Sequence, residues 1–210
     1  MRDETLALEL AKGIEAMALA IPAQAQRRML AFIMLLAKWN RTFNLTAIDD
    51  PAQMVGRHLL DSLAVLPHLR GPRVLDIGTG AGLPGIPLAL ARPADRFVLL
   101  DSSGKKTRFV TQAVAELGLD NVDVVQARLA DYRPALAFDC VISRAVGALA
   151  EMLQATGSLL APGGRLLAMK GKAWRDELAA LPSGSLIDAH RLDVPGVAGE
   201  RYLVEMTPSH

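Results

Sequence analysis

The chain has 210 residues, 51% hydrophobic, 4% aromatic and 21% charged, a composition that folds and excludes an intrinsically disordered protein. Its 23 basic and 22 acidic residues leave a net charge of +1, which excludes a protein that holds nucleic acid by bulk positive charge. A lone cysteine, Cys140, excludes an intramolecular disulfide and fits a reducing compartment.

Residues 4–20 carry Leu6, Leu10, Ile14 and Met17 near helical spacing. Pro22 suits the first turn of a second helix, whose apolar face is Met29, Phe32, Ile33 and Leu36 and which ends near Asn40. Asp50-Pro51 reads as an N-cap followed by proline at the first helical position, opening a third helix to about Leu66. The acidic start Met1-Arg2-Asp3-Glu4 lacks a signal-peptide core. The longest apolar run, residues 29–37, is far below the roughly 20 residues that cross a bilayer. A cytoplasmic protein with no membrane segment is expected.

From Arg73 the pattern changes. Short apolar runs at 73–77, 97–100, 122–125, 140–142 and 166–169 alternate with helical stretches such as 105–117 and 148–160. That alternation predicts a parallel sheet covered on both faces. Beyond Pro182, residues 186–192 and 202–206 read as a closing pair of strands that includes an antiparallel partner. The expected organisation is a helical extension over 1–70 packed on an α/β domain over 71–210, together one compact unit.

The first of these strands runs into Asp76-Ile77-Gly78-Thr79-Gly80-Ala81-Gly82-Leu83-Pro84-Gly85. Glycines let the backbone turn and approach a ligand closely, and the carboxyl end of a parallel sheet is where ligands bind. The segment formally fits the dinucleotide pattern G-x-G-x-x-G. Asp76, however, suits a cationic ligand better than a pyrophosphate, and the length leaves no room for a separate substrate domain. Asp101 ends the second strand, where an acid can accept both hydroxyls of an adenosine ribose; the competing reading is that it only caps the following helix. Adenosine plus positive charge without phosphates points to S-adenosylmethionine.

Other patterns lead elsewhere or nowhere. Ser103-Gly104-Lys105-Lys106-Thr107 would need a glycine where Leu99 stands to be a phosphate loop, so Lys105, Lys106 and Arg108 read as a solvated helix face. There is no G-x-S-x-G hydrolase elbow. His58, His68, His190 and His210 have no ligand spacing, so no metal site is expected. His58, Asp61 and Ser62 share one helix and are expected to make local contacts. At the end of the fourth strand stands Ile142-Ser143-Arg144-Ala145, not the Asp/Asn-Pro-Pro-aromatic motif of exocyclic-amine methylation. Cys140 lies inside a strand and reads as a small buried hydrophobe.

Several segments together resemble one family: Asn44-Leu45-Thr46-Ala47-Ile48, Arg57-His58-Leu59-Leu60-Asp61-Ser62, the glycine segment through Ile86-Pro87, Leu100-Asp101-Ser102, and Phe138-Asp139-Cys140-Val141-Ile142-Ser143-Arg144-Ala145. The chain is similar over residues 39–202 to the bacterial small-subunit (16S) ribosomal RNA guanine-N7 methyltransferases of the glucose-inhibited-division protein B type. The resemblance implies a class I S-adenosylmethionine-dependent methyltransferase fold, a Rossmann-like, mostly parallel seven-stranded sheet with an antiparallel strand, and methyl transfer to N7 of one guanosine in 16S rRNA. The family's cofactor contacts map onto Gly78, Leu83, Leu129, Ala130 and Arg144; Asp76, Gly80 and Asp101 complete the expected cofactor set. Where an acidic residue is common this chain has Ala130, with Asp131 one place later.

Guanine N7 carries no proton, so its methylation needs no general base, and no single catalytic acid or base is expected. Residues 16–48 contain no acid but Arg27, Arg28, Lys38 and Arg41; residues 152–175 contain no acid but Arg165, Lys170, Lys172 and Arg175. Each run gives +4, leaving −7 elsewhere. Such runs also arise by chance, and as an RNA face the second is preferred, because Lys170 and Lys172 flank the carboxyl end of a strand. Candidate RNA contacts are Arg41, Arg57, His58, Lys170 and Lys172. The expected partner is 16S rRNA or a small-subunit particle, with the protein a monomer. A small-molecule methyltransferase and a non-catalytic rRNA-binding protein on the same fold stay open; a nicotinamide enzyme fits least.

Overall fold

A computed structural model of the chain describes residues 2–144, 147–181 and 185–207. Ala145, Pro182 and His210, which enter the sequence reading, lie outside the described residues. Helix α1 (Arg2–Ala16) buries Leu6, Leu10 and Ile14. Helix α2 (Ala23–Phe43) runs slightly past the expected end and places Pro22 at its N-cap. Met29, Phe32, Ile33 and Leu36 are completely buried, as the spacing predicts. Phe32 and Trp39 meet Phe109 at ring-centroid distances of 6.2 and 5.6 Å. Buried Asn40 then organises the exit from α2: its Oδ1 accepts from the backbone N–H of Leu45 and Thr46 at 2.7 and 2.9 Å.

The third helix differs from expectation. Asp50 caps it by accepting from Ala52 N–H at 3.1 Å, and Pro51 follows. Helix α3 (Pro51–Met54) then widens into a π-helical stretch, Val55–Leu60, before α4 (Asp61–Leu63) resumes ordinary pitch. The Asp61 N–H donates five residues back, to Gly56 O. Hydrophobic periodicity cannot report this extra residue per turn, and π-bulges are often found at functional sites.

Seven strands follow: β1 (Arg73–Ile77), β2 (Arg96–Asp101), β3 (Val122–Gln126), β4 (Phe138–Arg144), β5 (Leu160–Lys170), β6 (Leu186–Arg191) and β7 (Tyr202–Thr207). Their order is β3-β2-β1-β4-β5-β7-β6. The first five are parallel, and β7 lies antiparallel to both β5 and β6. Helix α5 (Gly85–Ala91), which went unrecognised in the sequence, follows the glycine turn; α6 (Gly104–Leu117) and α7 (Leu149–Thr156) are the other crossovers. The helix expected over 148–160 stops early and gives way to a 3₁₀ turn, Gly157–Leu159.

The strands alternate between two buried faces. Val74, Ile142, Leu167 and Leu203 belong to a cluster that contains α1, α2 and α5 residues; Leu75, Ile77, Val141, Leu166 and Val204 belong to another, with α7. This two-sided burial is why the strands read as apolar runs. Cys140 is wholly buried, and burial pushes its thiol up to about 12. Among the described residues no helix is long and apolar enough to cross a membrane.

Candidate functional site: two cavities at the carboxyl ends of the strands

The first cavity, about 360 Å³, opens beyond β1, β2 and β3 and is lined by Gly78, Asp101, Lys106, Arg128 and Leu129 among others. The chain leaves β1 through Gly78 and Gly80, at φ +65° and +61°, a left-handed conformation that favours glycine. Asp101 fastens this turn. One carboxylate oxygen accepts from Gly80 N–H at 2.9 Å, the other from Ser103 N–H at 2.8 Å. Asp101 therefore supports the start of α6 and also lines the cavity, so the two readings of it are compatible. Lys106 is not simply a solvated lysine: its Nζ stands 3.9 Å from Asp101 Oδ2, at the cavity wall.

Asp76 is completely buried. Its Oδ2 accepts from the Thr79 hydroxyl at 2.7 Å and from Gly85 N–H at 2.9 Å, while Oδ1 has no partner. Burial pushes its pKa up to about 7, against the pull of those two bonds and of Arg144. A Cβ at residue 85 would stand 2.8 Å from Asp76 Oδ2 and closer still to Leu99, so this approach requires glycine. A buried carboxylate oxygen without a partner is costly; Asp76 lines neither cavity, and what it does is hold the turn from Thr79 to Gly85. Leu83 is packed in the apolar core. Ala130 is exposed, with its carbonyl accepting from Arg133 at 2.7 Å. Neither side chain lines the cavity, so any contact from these two is through backbone.

The second cavity, about 380 Å³, lies beyond β4 and β5. Arg57, His58, Asp61, Arg144, Lys170 and Arg201 line it, over apolar walls of Ile48, Met169 and Tyr202. Asp61 is the hub. Arg144 Nη1 lies 3.4 Å from its Oδ2 and Arg201 Nε 3.3 Å from its Oδ1. The Arg201 contact is an ion pair without a hydrogen bond, and Oδ1 is buried beneath it. Arg144 also donates to Arg57 O at 3.3 Å. The expectation of purely local contacts for this helix is thus corrected: Ser62 does bond His58 O, but Asp61 reaches across the fold. Ion pairs between distant segments leave no sequence spacing to read.

His58 is buried between Thr46 Oγ1, 3.0 Å from Nε2, and Arg57 O, 3.1 Å from Nδ1. Burial, then the charge of Arg144, lowers its pKa to about 4. It is a neutral pocket wall and cannot be a cationic phosphate contact. Lys170 is also committed, donating to Gly147 O at 2.7 Å and to both Glu177 oxygens at 3.0 Å. Arg165 pairs with Glu205, and Arg175 lies over Trp174 and Tyr202 at 4.8 and 5.1 Å. The basic run over 152–175 is therefore partly neutralised by acids outside it, a correction to its apparent +4. Arg41 and Lys172 are exposed and do not line the cavity; Arg57 is exposed at its edge.

Sequence reasoning missed Arg201 and Tyr202. The available signal was the antiparallel return: Tyr202 pairs with Lys170, so the segment entering β7 arrives at the ligand end of the sheet. Sequence spacing also hid His68, His190 and Glu205, whose ligand atoms all lie within 4.8 Å of one another.

This sheet order and its paired cavities define a class I S-adenosylmethionine-dependent methyltransferase. The fold is shared with the O-methyltransferase TomG of Streptomyces achromogenes, solved with that cofactor, at TM-score 0.58 and 17% identity over 83% of this chain and 88% of that one. Within that class the chain belongs to the GidB family, rRNA small subunit methyltransferase G, which it matches over residues 25–204. It is 50% identical to the ribosomal RNA small subunit methyltransferase G of Alkalilimnicola ehrlichii, over 99% of this chain and 94% of that protein. The Methylococcus capsulatus protein of the same name is also 50% identical, over 95% of this chain and 98% of its own length.

Proposed function

We propose that this enzyme methylates N7 of a guanosine in 16S rRNA, presented naked or in a small-subunit particle. The observation that carries the reading is the state of the carboxylate, imidazole and amine that line the second cavity: all three are already committed. Asp61 serves two arginines, His58 is neutral with both ring nitrogens engaged, and Lys170 is paired. A pocket without an available base suits an acceptor that has no proton to lose, and N7 is an in-plane lone pair.

S-adenosylmethionine supplies a methyl group made electrophilic by its sulfonium. Gly78, Asp101 and Leu129 would hold it, with Asp76 and Gly80 shaping the glycine turn beneath and Leu83 and Ala130 contributing backbone only. Arg144, steadied by Asp61 and Arg57 O, would donate to guanine O6 next to N7. The enzyme then works by orientation, in a cavity of a size that receives a small ligand or an extruded base. Residues 1–70 and 71–210 act as one unit, since Arg57, His58 and Asp61 complete the acceptor wall. We read the enzyme as a cytoplasmic monomer.

The test is mass spectrometry of 16S rRNA from cells with and without the gene, joined to methylation of small-subunit particles in vitro. Loss of one 7-methylguanosine, restored by the purified enzyme, is expected. Unchanged 7-methylguanosine content would overturn the assignment, as would methyl incorporation at an exocyclic amine.

A further inference from the structure

The face of the sheet that the N-terminal helices cover carries a second set of ligating side chains. Asp188 on β6 stands directly opposite Glu205 on β7, and His190 lies two residues along from Asp188. In a pleated sheet these three share a face. The 3₁₀ turn Leu66–His68, at the end of the helical segment, brings His68 onto them. The two imidazole rings lie 4.3 Å apart, centroid to centroid. His190 Nε2 is 3.5 Å from Asp188 Oδ2 and 3.8 Å from Glu205 Oε2. Bonds of about 2.0–2.2 Å in a tetrahedral zinc site put neighbouring ligand atoms roughly 3.4 Å apart, so small side-chain adjustments would close this group around an ion.

We propose that His68, His190 and Glu205, with Asp188 as the nearest fourth donor, bind a divalent transition-metal ion of the zinc class. Two imidazoles with carboxylates select that chemistry over calcium or magnesium, which take all-oxygen sites. Glu205 is suited to the task. Its Oε1 is held by Arg165, which orients the carboxylate, and Oε2 is turned to the histidines. His190 and Glu205 side chains are 31% and 18% exposed, sheltered yet reachable by an ion. Along β7, Glu205 is three residues from Tyr202 of the acceptor cavity, roughly 10 Å, so the ion is structural. It would clamp the end of the helical segment to the two antiparallel strands and add stability without entering the chemistry. The competing account is that His190 merely forms ion pairs with its acidic neighbours when protonated.

The experiment uses untagged full-length enzyme stripped of metal, titrated with cobalt(II) and then zinc. One equivalent of cobalt per chain is expected to give a visible d–d absorption that an equivalent of zinc abolishes, and zinc should raise the melting temperature. His68→Ala and His190→Ala should each weaken zinc binding about a hundredfold or more, whereas His58→Ala should not. His190→Gln, checked by circular dichroism, separates ligand loss from misfolding. Absence of saturable one-to-one binding below about 100 µM metal would overturn the proposal. So would binding that survives both alanine variants.

Discussion

The cavity proposed for the cofactor draws its walls from the ends of three consecutive strands, between Ile77 and Leu129, and the turn that enters it is shaped largely by backbone: glycines in the left-handed region, and amides donated to Asp76 and Asp101. The cavity proposed for the acceptor draws on residues from Ile48 to Tyr202 and is shaped by side chains gathered around one buried carboxylate. The first is therefore legible in sequence and intolerant of added volume. The second has no contiguous motif and should be sensitive to loss of charge partners.

The largest effect should come from the unpaired carboxylate of the cofactor side. Asp76 has a folded pKa of about 7, above its ordinary value of 3.8, so the folded protein holds this proton more tightly than the unfolded chain. The contribution of Asp76 to stability is then fully present below about pH 4 and is lost as pH rises through 7, by up to about 4 kcal/mol. Asp76→Asn should flatten that slope in cofactor-free enzyme while weakening S-adenosylmethionine binding. Urea unfolding at pH 5 and pH 8 measures it; equal slopes in both proteins would show that Asp76 is not the group responsible.

Next is Arg144, which decides between the regions. Arg144→Ala leaves Asp61 with Arg201 alone and should cut kcat/KM about 10²- to 10³-fold, with cofactor affinity changed less than about tenfold. A cofactor Kd that worsens as much as turnover would move Arg144 to the cofactor side, where the family resemblance puts it. Gly85→Val should cost about 2–3 kcal/mol by forcing Leu99 and Asp76 apart; a loss under 1 kcal/mol by chemical denaturation would mean the cradle yields. Smallest should be Lys172→Ala, which removes one exposed cation and should weaken particle binding only a few-fold, slightly reducing its salt dependence. A hundredfold loss would make Lys172 a specific contact.

The strands were readable because both faces are buried: β1 begins and ends at the expected residues, and Asp101 stands where expected, at the end of β2. On the acceptor side Arg144 and Lys170 were readable because they flank a parallel strand, and Arg57 and His58, also named as RNA contacts, line the same cavity. Net charge in a sequence window misled, because Glu177 and Glu205 neutralise Lys170 and Arg165 from outside it. Arg201, Asp61 and the pairing of His68 with His190 depend on which strands become neighbours, and that information is not local.

One structural detail turns chain length itself into part of the pocket. The π-helical stretch Val55–Leu60 accommodates one more residue than an α-helical path between the same ends would. Removing a residue there would restore ordinary pitch between the same ends, so the flanking α-helical turns would keep their places and the side chains within the stretch would change their facing. Asp61, beyond the stretch, would keep its place beside Arg144 and Arg201, while Arg57 and His58 inside it would be re-aimed. No amino-acid replacement is involved, yet the cavity wall would lose the present facing of these two side chains. In this helix the number of residues is as much a determinant of the acceptor wall as their identity.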